Sequence, residues 1–368
     1  MKIKLVQNKL SKALNSVSKI TGGARASLPI LSNVLIRVDE KRVSLVTTNL
    51  DMAIINYLPS TGSEKGTITV PAKLIADFVS NLPSGSDVEL LGEDTKLTIK
   101  SGEYTSIING TVADDFPELP DIDTEKVVTI KIAADMFKEA ISQVMVAASN
   151  DTTRPALTGV YFNTFEDALY FASTDGYRLA ECKVVEKISE SVSVIIPSAS
   201  LRAVVGLMGD ACEEVELLID ESQIRFRFGD IEITSKLIDG SFPDYRQLIP
   251  KESEVNLELK KDELTRVTKL AALFAREVGG SIVCLANKTD QDFSIASVAN
   301  ELGENSSKIN TKVDIDGKIT LNSRFLLDAL GTIYGDKIEF KFSNNLNPII
   351  LRAVNNDNYI HIIMPLKG

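Results

Sequence analysis

GTITVPAKLIADFVSNL occupies residues 66–82, and the chain writes it twice more in altered form. At 195–208 it reads IIPSASLRAVVGLM, which sets Pro197 at 126 residues from Pro71. At 317–333 it reads GKITLNSRFLLDALGTI, with Gly317 at 251 from Gly66. The apolar positions travel with the register. Leu74, Ile75, Phe78, Val79 and Leu82 return as Phe325, Leu326, Ala329, Leu330 and Ile333, each 251 further on, and the middle copy holds Leu201, Val204, Val205 and Met208. Such spacing marks one face of an amphipathic helix with a proline in its first turn.

Working outward, the register holds across most of the chain. LPILSNVLIRVDEKRVSLVTTNLDMA aligns with RPALTGVYFNTFEDALYFASTDGYRLA, and Pro155 follows Pro29 by 126. VELLGEDTKLTIKSGEY aligns with VELLIDESQIRFRFGDI, and Gly229 follows Gly102 by 127. SIINGTVADDFPELP and SKLIDGSFPDYRQLIP bring Phe116-Pro117 to 126 before Phe242-Pro243. The leading segments NKLSKALNSV, DMFKEAISQV and DELTRVTKLA set Leu10, Phe137 and Leu264 at spacings of 127. The chain is therefore three copies of about 125 residues. Each copy reads as two helices with several short alternating strands. IRFRFGDIEITSKL, for example, is a hairpin around Gly229-Asp230, where glycine first suits a type II′ turn. The fold class is α+β, in tandem domains 1–122, 123–252 and 253–368, with PDIDTEKVV and PKESEVN as linkers.

The bulk composition sets outer bounds. Over 368 residues, 44% are hydrophobic and 25% charged, as in a soluble globular protein. The N-terminal MKIKLVQNKLSK has no apolar run of signal-peptide length, and no stretch is long enough to span a membrane. Cys182, Cys212 and Cys284 are odd in number and far apart, which fits reduced thiols in a cytoplasmic protein. His361 is the single histidine and sits in the alternating run YIHIIMP, where it reads as a strand residue. No phosphate-binding glycine loop, metal-ligand spacing or carboxylate pair stands out, so the sequence indicates no enzyme, no cofactor and no metal.

The charge distribution is more informative than its sum of −11. Residues 1–38 hold seven basic residues and no acidic one. Lys9, Lys12 and Lys19 share one side of the first helix, and Arg266, Lys269 and Arg276 repeat that spacing in the third copy. Lys73 and Arg324 occupy one slot in two copies. A solvated helix face explains any one such set; recurrence across copies favours a basic track facing phosphates, in contacts that ignore base sequence.

LPILSNVLI, VPAK, TDGYRLA, SKLIDGSFPDY and the C-terminal YIHIIMPL occur in this order over the whole chain. On these motifs the chain resembles the bacterial DNA polymerase III β subunits, the sliding clamps. The resemblance implies a head-to-tail homodimeric ring of six domains, with helices lining a hole for duplex DNA. It also implies a non-catalytic processivity factor. The implied partners are a clamp loader, polymerase subunits and repair proteins bound through short linear motifs. The alternative is a three-domain protein-interaction scaffold that does not encircle DNA.

Residue by residue, the resemblance implies DNA-facing roles for Arg25, Lys73 and Arg154. Ser198 and Ala199 stand where members often carry basic residues, and Pro155 and Ala156 where some place aromatics. The implied dimer seam uses Leu273 and Phe274 against Ile108. The implied partner pocket uses Leu157, Thr174, Gly176, Tyr177, Arg178 and Leu179 on one wall, with Pro243 and Leu248 beside them. Ile362, Met364, Pro365 and Leu366 complete it from the tail. Tyr177 replaces the histidine of some members, and Gln247 sits where a basic residue can occur. TDGYR has a plain structural reading as well, since the first copy writes TNLDM in its place.

Overall fold

The computed structural model describes residues 1–21, 28–40, 42–59, 64–119, 122, 127–276, 279–343 and 346–366. Among these are six α-helices: α1 (Gln7–Val17), α2 (Ala72–Ser80), α3 (Ala134–Val144), α4 (Ser198–Leu207), α5 (Lys261–Ala275) and α6 (Ser323–Thr332). None is long and apolar enough to cross a membrane. Each copy supplies two of them, as the repeated stripes require. The stripes are only partly buried. Ile75, Val79, Leu201, Val204, Leu326 and Leu330 are in the core, whereas Leu74 is 53% exposed. Pro71 ends the preceding strand and caps α2 at φ −54° instead of entering its first turn, and in α6 the Asn322 side chain accepts from the Arg324 and Phe325 N–H groups.

All strand pairing is antiparallel, and it crosses the boundaries between copies. One eight-stranded sheet runs Gly66–Pro71, Asn33–Val38, Arg42–Thr48, Met52–Pro59, Ile231–Lys236, Gln223–Phe228, Glu214–Ile219, Val128–Ala133. The second runs Ser193–Pro197, Gly159–Phe165, Ala168–Thr174, Arg178–Val185, Tyr359–Ile363, Ile349–Ala353, Lys337–Phe342, Val255–Lys260. Two four-stranded sheets remain. The first copy forms Lys2–Val6, Asp87–Glu93, Lys96–Ser101, Tyr104–Asn109; the third forms Gly303–Asn310, Asp292–Ala299, Ser281–Asn287, Gly317–Asn322. In both long sheets the fourth strand of one copy joins the eighth strand of the next: Met52 faces Ser235, and Arg178 faces Ile363.

This pairing decides compactness. The chain divides into two units, Met1–Asp135 with Ala199–Leu237, and Met136–Ser198 with Ile238–Gly368. The compact units therefore do not follow the copies, and the middle copy gives four strands to each unit. In unit 1, α1 packs on α2 and on the strands Arg42–Thr48 and Met52–Pro59. In unit 2, Phe162 stacks on Phe171 at 3.6 Å and Phe293 lies 5.1 Å from Phe340. Polar anchors repeat too. Thr47 Oγ1 donates to the Val17 carbonyl at the end of α1, and Ser173 Oγ donates to the Val144 carbonyl at the end of α3. The hairpin at Gly229-Asp230 forms as read, with Phe228 opposite Ile231 and only the glycine at positive φ, +54°.

Candidate functional site

TNLDM and TDGYR fold into the same turn. In the first copy Thr48 Oγ1 donates to the Met52 carbonyl and accepts from Leu50 N–H, while Asn49 Oδ1 accepts from the N–H groups of Asp51 and Met52. In the second copy Thr174, Gly176, Asp175, Tyr177 and Arg178 take those places bond for bond. The middle residue is left-handed in both, Leu50 at φ +74° and Gly176 at +91°. The turn is thus structural wherever it occurs, and what is particular to unit 2 is the side chain that follows it.

Arg178 is 9% exposed and fully engaged. Its Nε donates to Asp175 Oδ2 at 3.0 Å and its Nη1 to Asp328 Oδ2 at 2.6 Å, while its guanidinium lies 4.5 Å from the Phe325 ring centroid. Phe325 and Asp328 are neighbours of Arg178 that the motifs alone do not reveal; the sequence marks Phe325 only as the first member of the α6 stripe. The tail closes over the turn. Met364 N–H donates to the Tyr177 carbonyl at 2.8 Å, Leu366 N–H to the Thr320 carbonyl at 2.9 Å, and Leu179 sits opposite Ile362 in the sheet. Leu179 and Ile362 form a buried floor with Ala172 and Tyr245, flanked by Tyr161, Phe242, Ile249 and Ile360.

Apolar groups stand open beside this floor. Tyr177 is 62% exposed and Leu248 55%, Pro243 is exposed, and Met364, Pro365 and Leu366 are half-buried. Leu157 is buried in the 3₁₀ turn Pro155–Thr158 and joins none of the bonds above. The adjacent Ala156 approaches Gly240. Arg154, given a DNA-facing role by resemblance, pairs with Asp151 at 3.9 Å, and its guanidinium lies within 3.8 Å of where a side chain on Gly176 would begin. It thus stands at the rim of this groove. An apolar floor, flexible methionine and a fixed guanidinium suit the side chains of a short peptide.

Beneath the groove, His361 is fully buried. Its Nδ1 lies 2.9 Å from the Tyr359 hydroxyl, which donates to the Gln143 carbonyl, so the imidazole places its proton on Nδ1 and leaves Nε2 as a bare acceptor. Burial, aided by the Arg178 cation, pushes its pKa down to about 3.

Each unit carries exposed basic residues on its helices. Lys9, Lys12, Lys19, Lys73, Arg202, Arg266, Lys269, Arg276 and Arg324 are exposed, and among the described residues none has a carboxylate partner. Several strand cations are paired: Lys2 with Glu89, Lys4 with Asp87, Lys131 with Glu214, Lys308 with Asp292 and Arg352 with Glu339. These exposed helix cations are positive charges without a neighbouring carboxylate among the described residues. The middle copy contributes Arg202 to this set. Its Ser198 is buried and donates to the Thr158 carbonyl at 2.6 Å. Arg25 lies outside the described residues. At the seam positions Leu273 is 53% exposed and Phe274 half-buried. Ile108 is only 4% exposed, and its neighbour Ile107, at 62%, is the side chain facing outward.

The chain matches, in order, the DNA polymerase III beta subunit N-terminal domain over residues 1–120, central domain over 131–244 and C-terminal domain over 246–367. It is 30% identical over 356 residues to the beta sliding clamp of Staphylococcus aureus, covering 93% of either chain. The DNA polymerase sliding clamp of Bacillus subtilis superposes with a TM-score of 0.93 at 28% identity, over all of this chain and 99% of that one. The Pseudomonas aeruginosa DNA polymerase III subunit beta superposes at 0.94 and 25% identity, over all of both chains. With relatives matched over nearly their full length and the three repeats falling on three successive domains of one known subunit, this chain belongs to the bacterial β sliding clamps, the β subunits of DNA polymerase III.

Proposed function

We propose that this processivity factor works as a head-to-tail homodimer closed around duplex DNA, and that the groove of Tyr177, Leu179, Leu248 and Met364 holds its partners. The observation that carries the ring is the pattern of sheet edges. Inside the chain the fourth strand of each copy is covered by the eighth strand of the next. Two such edges are left over, Tyr104–Asn109 of the first copy and Gly303–Asn310 of the third. An exposed edge of this length is a template for another strand, and two chains joined head to tail satisfy both edges with no new kind of contact.

The internal repeats support a register for this seam. Met52, Arg178 and Gly303 open the fourth strands, and their partners in the first two cases are Ser235 and Ile363. Ser235 less the 127-residue spacing is Ile108. Gly303 should therefore face Ile108 of the partner subunit, and Ser307 should face Tyr104 of the partner subunit. Ile108 contributes its backbone, while Ile107, Tyr104, Leu270 and Leu273, each at least 43% exposed, supply apolar surface for a seam.

Unpaired cations on the helices suit weak phosphate contacts that do not read sequence, as a sliding ring needs. Polymerase subunits, the clamp loader and repair proteins would each dock by a short linear motif with apolar anchors, in the cytoplasm and without catalysis or a cofactor from this chain. Sedimentation tests the proposal. A species of about 80 kDa, twice the 40.1 kDa chain, which is retained on closed circular DNA and lost on linearisation, is the expected result. A monomer at micromolar concentration would overturn it.

A further inference from the structure

The stretch from Asp239 to Leu248 carries Pro243 and Leu248, yet no backbone hydrogen bond among the described residues ties it to a strand. Side chains hold it. Phe242 stacks on Tyr161 with centroids 4.8 Å apart. Tyr245 is 3% exposed, enters the floor of the groove, and donates its hydroxyl to Glu181 Oε2. Arg246 lays its guanidinium 3.9 Å from the Phe165 ring centroid and 4.3 Å from that of Tyr170, and its Nη2 lies 2.8 Å from the same Glu181 Oε2 as an ion pair, without the alignment of a hydrogen bond. Two of the three anchors thus converge on one carboxylate, itself 6% exposed and fixed in the sheet between Ala172 and Ile360. Burial raises the Glu181 carboxyl above the usual range, against the lowering effect of Tyr245 and Arg246, so its charge depends on these two partners.

We propose that Glu181 is a positioning residue of the partner groove: by gripping Tyr245 and Arg246 from beneath, it fixes the turn Tyr245–Leu248 and so presents Pro243 and Leu248 to a bound peptide in advance. The inference rests on the groove reading above. A wall held ready spares the peptide the cost of ordering it. Without an oxygen at this position Tyr245 loses its acceptor and Arg246 the group it packs against, and their release to water carries the turn with it.

Calorimetry on the full-length dimer with a synthetic hexapeptide bearing Leu and Phe anchors tests this. Glu181→Ala should bind about tenfold more weakly, with dimer mass unchanged in sedimentation. Glu181→Gln, whose amide oxygen still accepts from Tyr245, should recover affinity to within about threefold. Should Glu181→Ala fail to fold, Arg246→Gln removes the cation alone and should weaken binding about threefold. Wild-type affinity in Glu181→Ala, or in Arg246→Gln if that variant is used, overturns the proposal. Equal losses in Glu181→Ala and Glu181→Gln overturn it too. Deletion of Met364–Gly368 separates the two readings. If the deletion leaves binding intact, the groove itself is misassigned. If it abolishes binding while Glu181→Ala is silent, only the positioning role falls.

Discussion

Acidification from pH 7 to pH 5 should destabilise this protein through His361. The folded pKa is pushed down to about 3 by burial and then by Arg178, while an unfolded histidine titrates near 6.5. Above that value both states hold a neutral imidazole and the pH dependence is nil. Below it the unfolded chain binds a proton that the native state refuses, and stability falls by ~1.4 kcal/mol per pH unit until the native group titrates. At pH 5 the accumulated loss is ~2 kcal/mol. The control is His361→Asn, because an asparagine side chain can still donate to Tyr359 from the Nδ1 position but does not titrate. Urea unfolding at a fixed protein concentration, at pH 7 and pH 5, gives the two slopes. Every other group contributes equally to both proteins, so wild type should lose about 2 kcal/mol more than the variant. Identical pH dependence would show that His361 takes up its proton while folded, and the assigned burial and tautomer would be wrong.

Arg178→Ala leaves Asp175 and Asp328 facing one another without their cation and should cost ~3–5 kcal/mol, seen as a lowered unfolding midpoint in calorimetry; a loss under 1 kcal/mol would mean both carboxylates find water. Arg266→Ala with Lys269→Ala should lower the slope of log affinity against log salt for duplex DNA by about 0.9 per phosphate contact removed, and an unchanged slope would put α5 away from the phosphates. Ile107→Asp sets a carboxylate where the seam needs an apolar side chain, and sedimentation should find folded monomer. A persistent dimer would refute the proposed register.

The repeats were legible because each copy must bury the same helix faces, and a period of 126 survives wherever a core position tolerates only apolar residues. The turn at Thr174–Arg178 was legible for a similar reason, since it is written twice. Pairings across copies were not. The strand Met52–Pro59 gives no local sign that its neighbour is Ile231–Lys236, because alternating side chains report which face is buried and not which edge is covered. The same limit explains Ile107 and Ile108: adjacent isoleucines on a strand point to opposite faces, and only the sheet says which is inward. Arg178 meets Asp328 across 150 residues, a contact that no spacing rule contains. Basic spacing on α1 and α5 was visible, but that Lys9, Lys12, Arg266 and Lys269 have no carboxylate partner among the described residues, while Lys2, Lys4 and Lys131 do, is a fact of three dimensions.

Sharing the middle copy between two sheets also sets a timetable for synthesis. When residue 122 leaves the ribosome, the first copy is fully translated, yet the strand Met52–Pro59 still has a bare edge, and its cover does not arrive until Lys236. The second sheet waits longer still, because the neighbour of Arg178–Val185 is Tyr359–Ile363, made more than 170 residues later. A nascent chain of this protein therefore carries an open strand edge through most of its translation, and the time spent in that state, not the stability of the finished fold, is where it is exposed to aggregation.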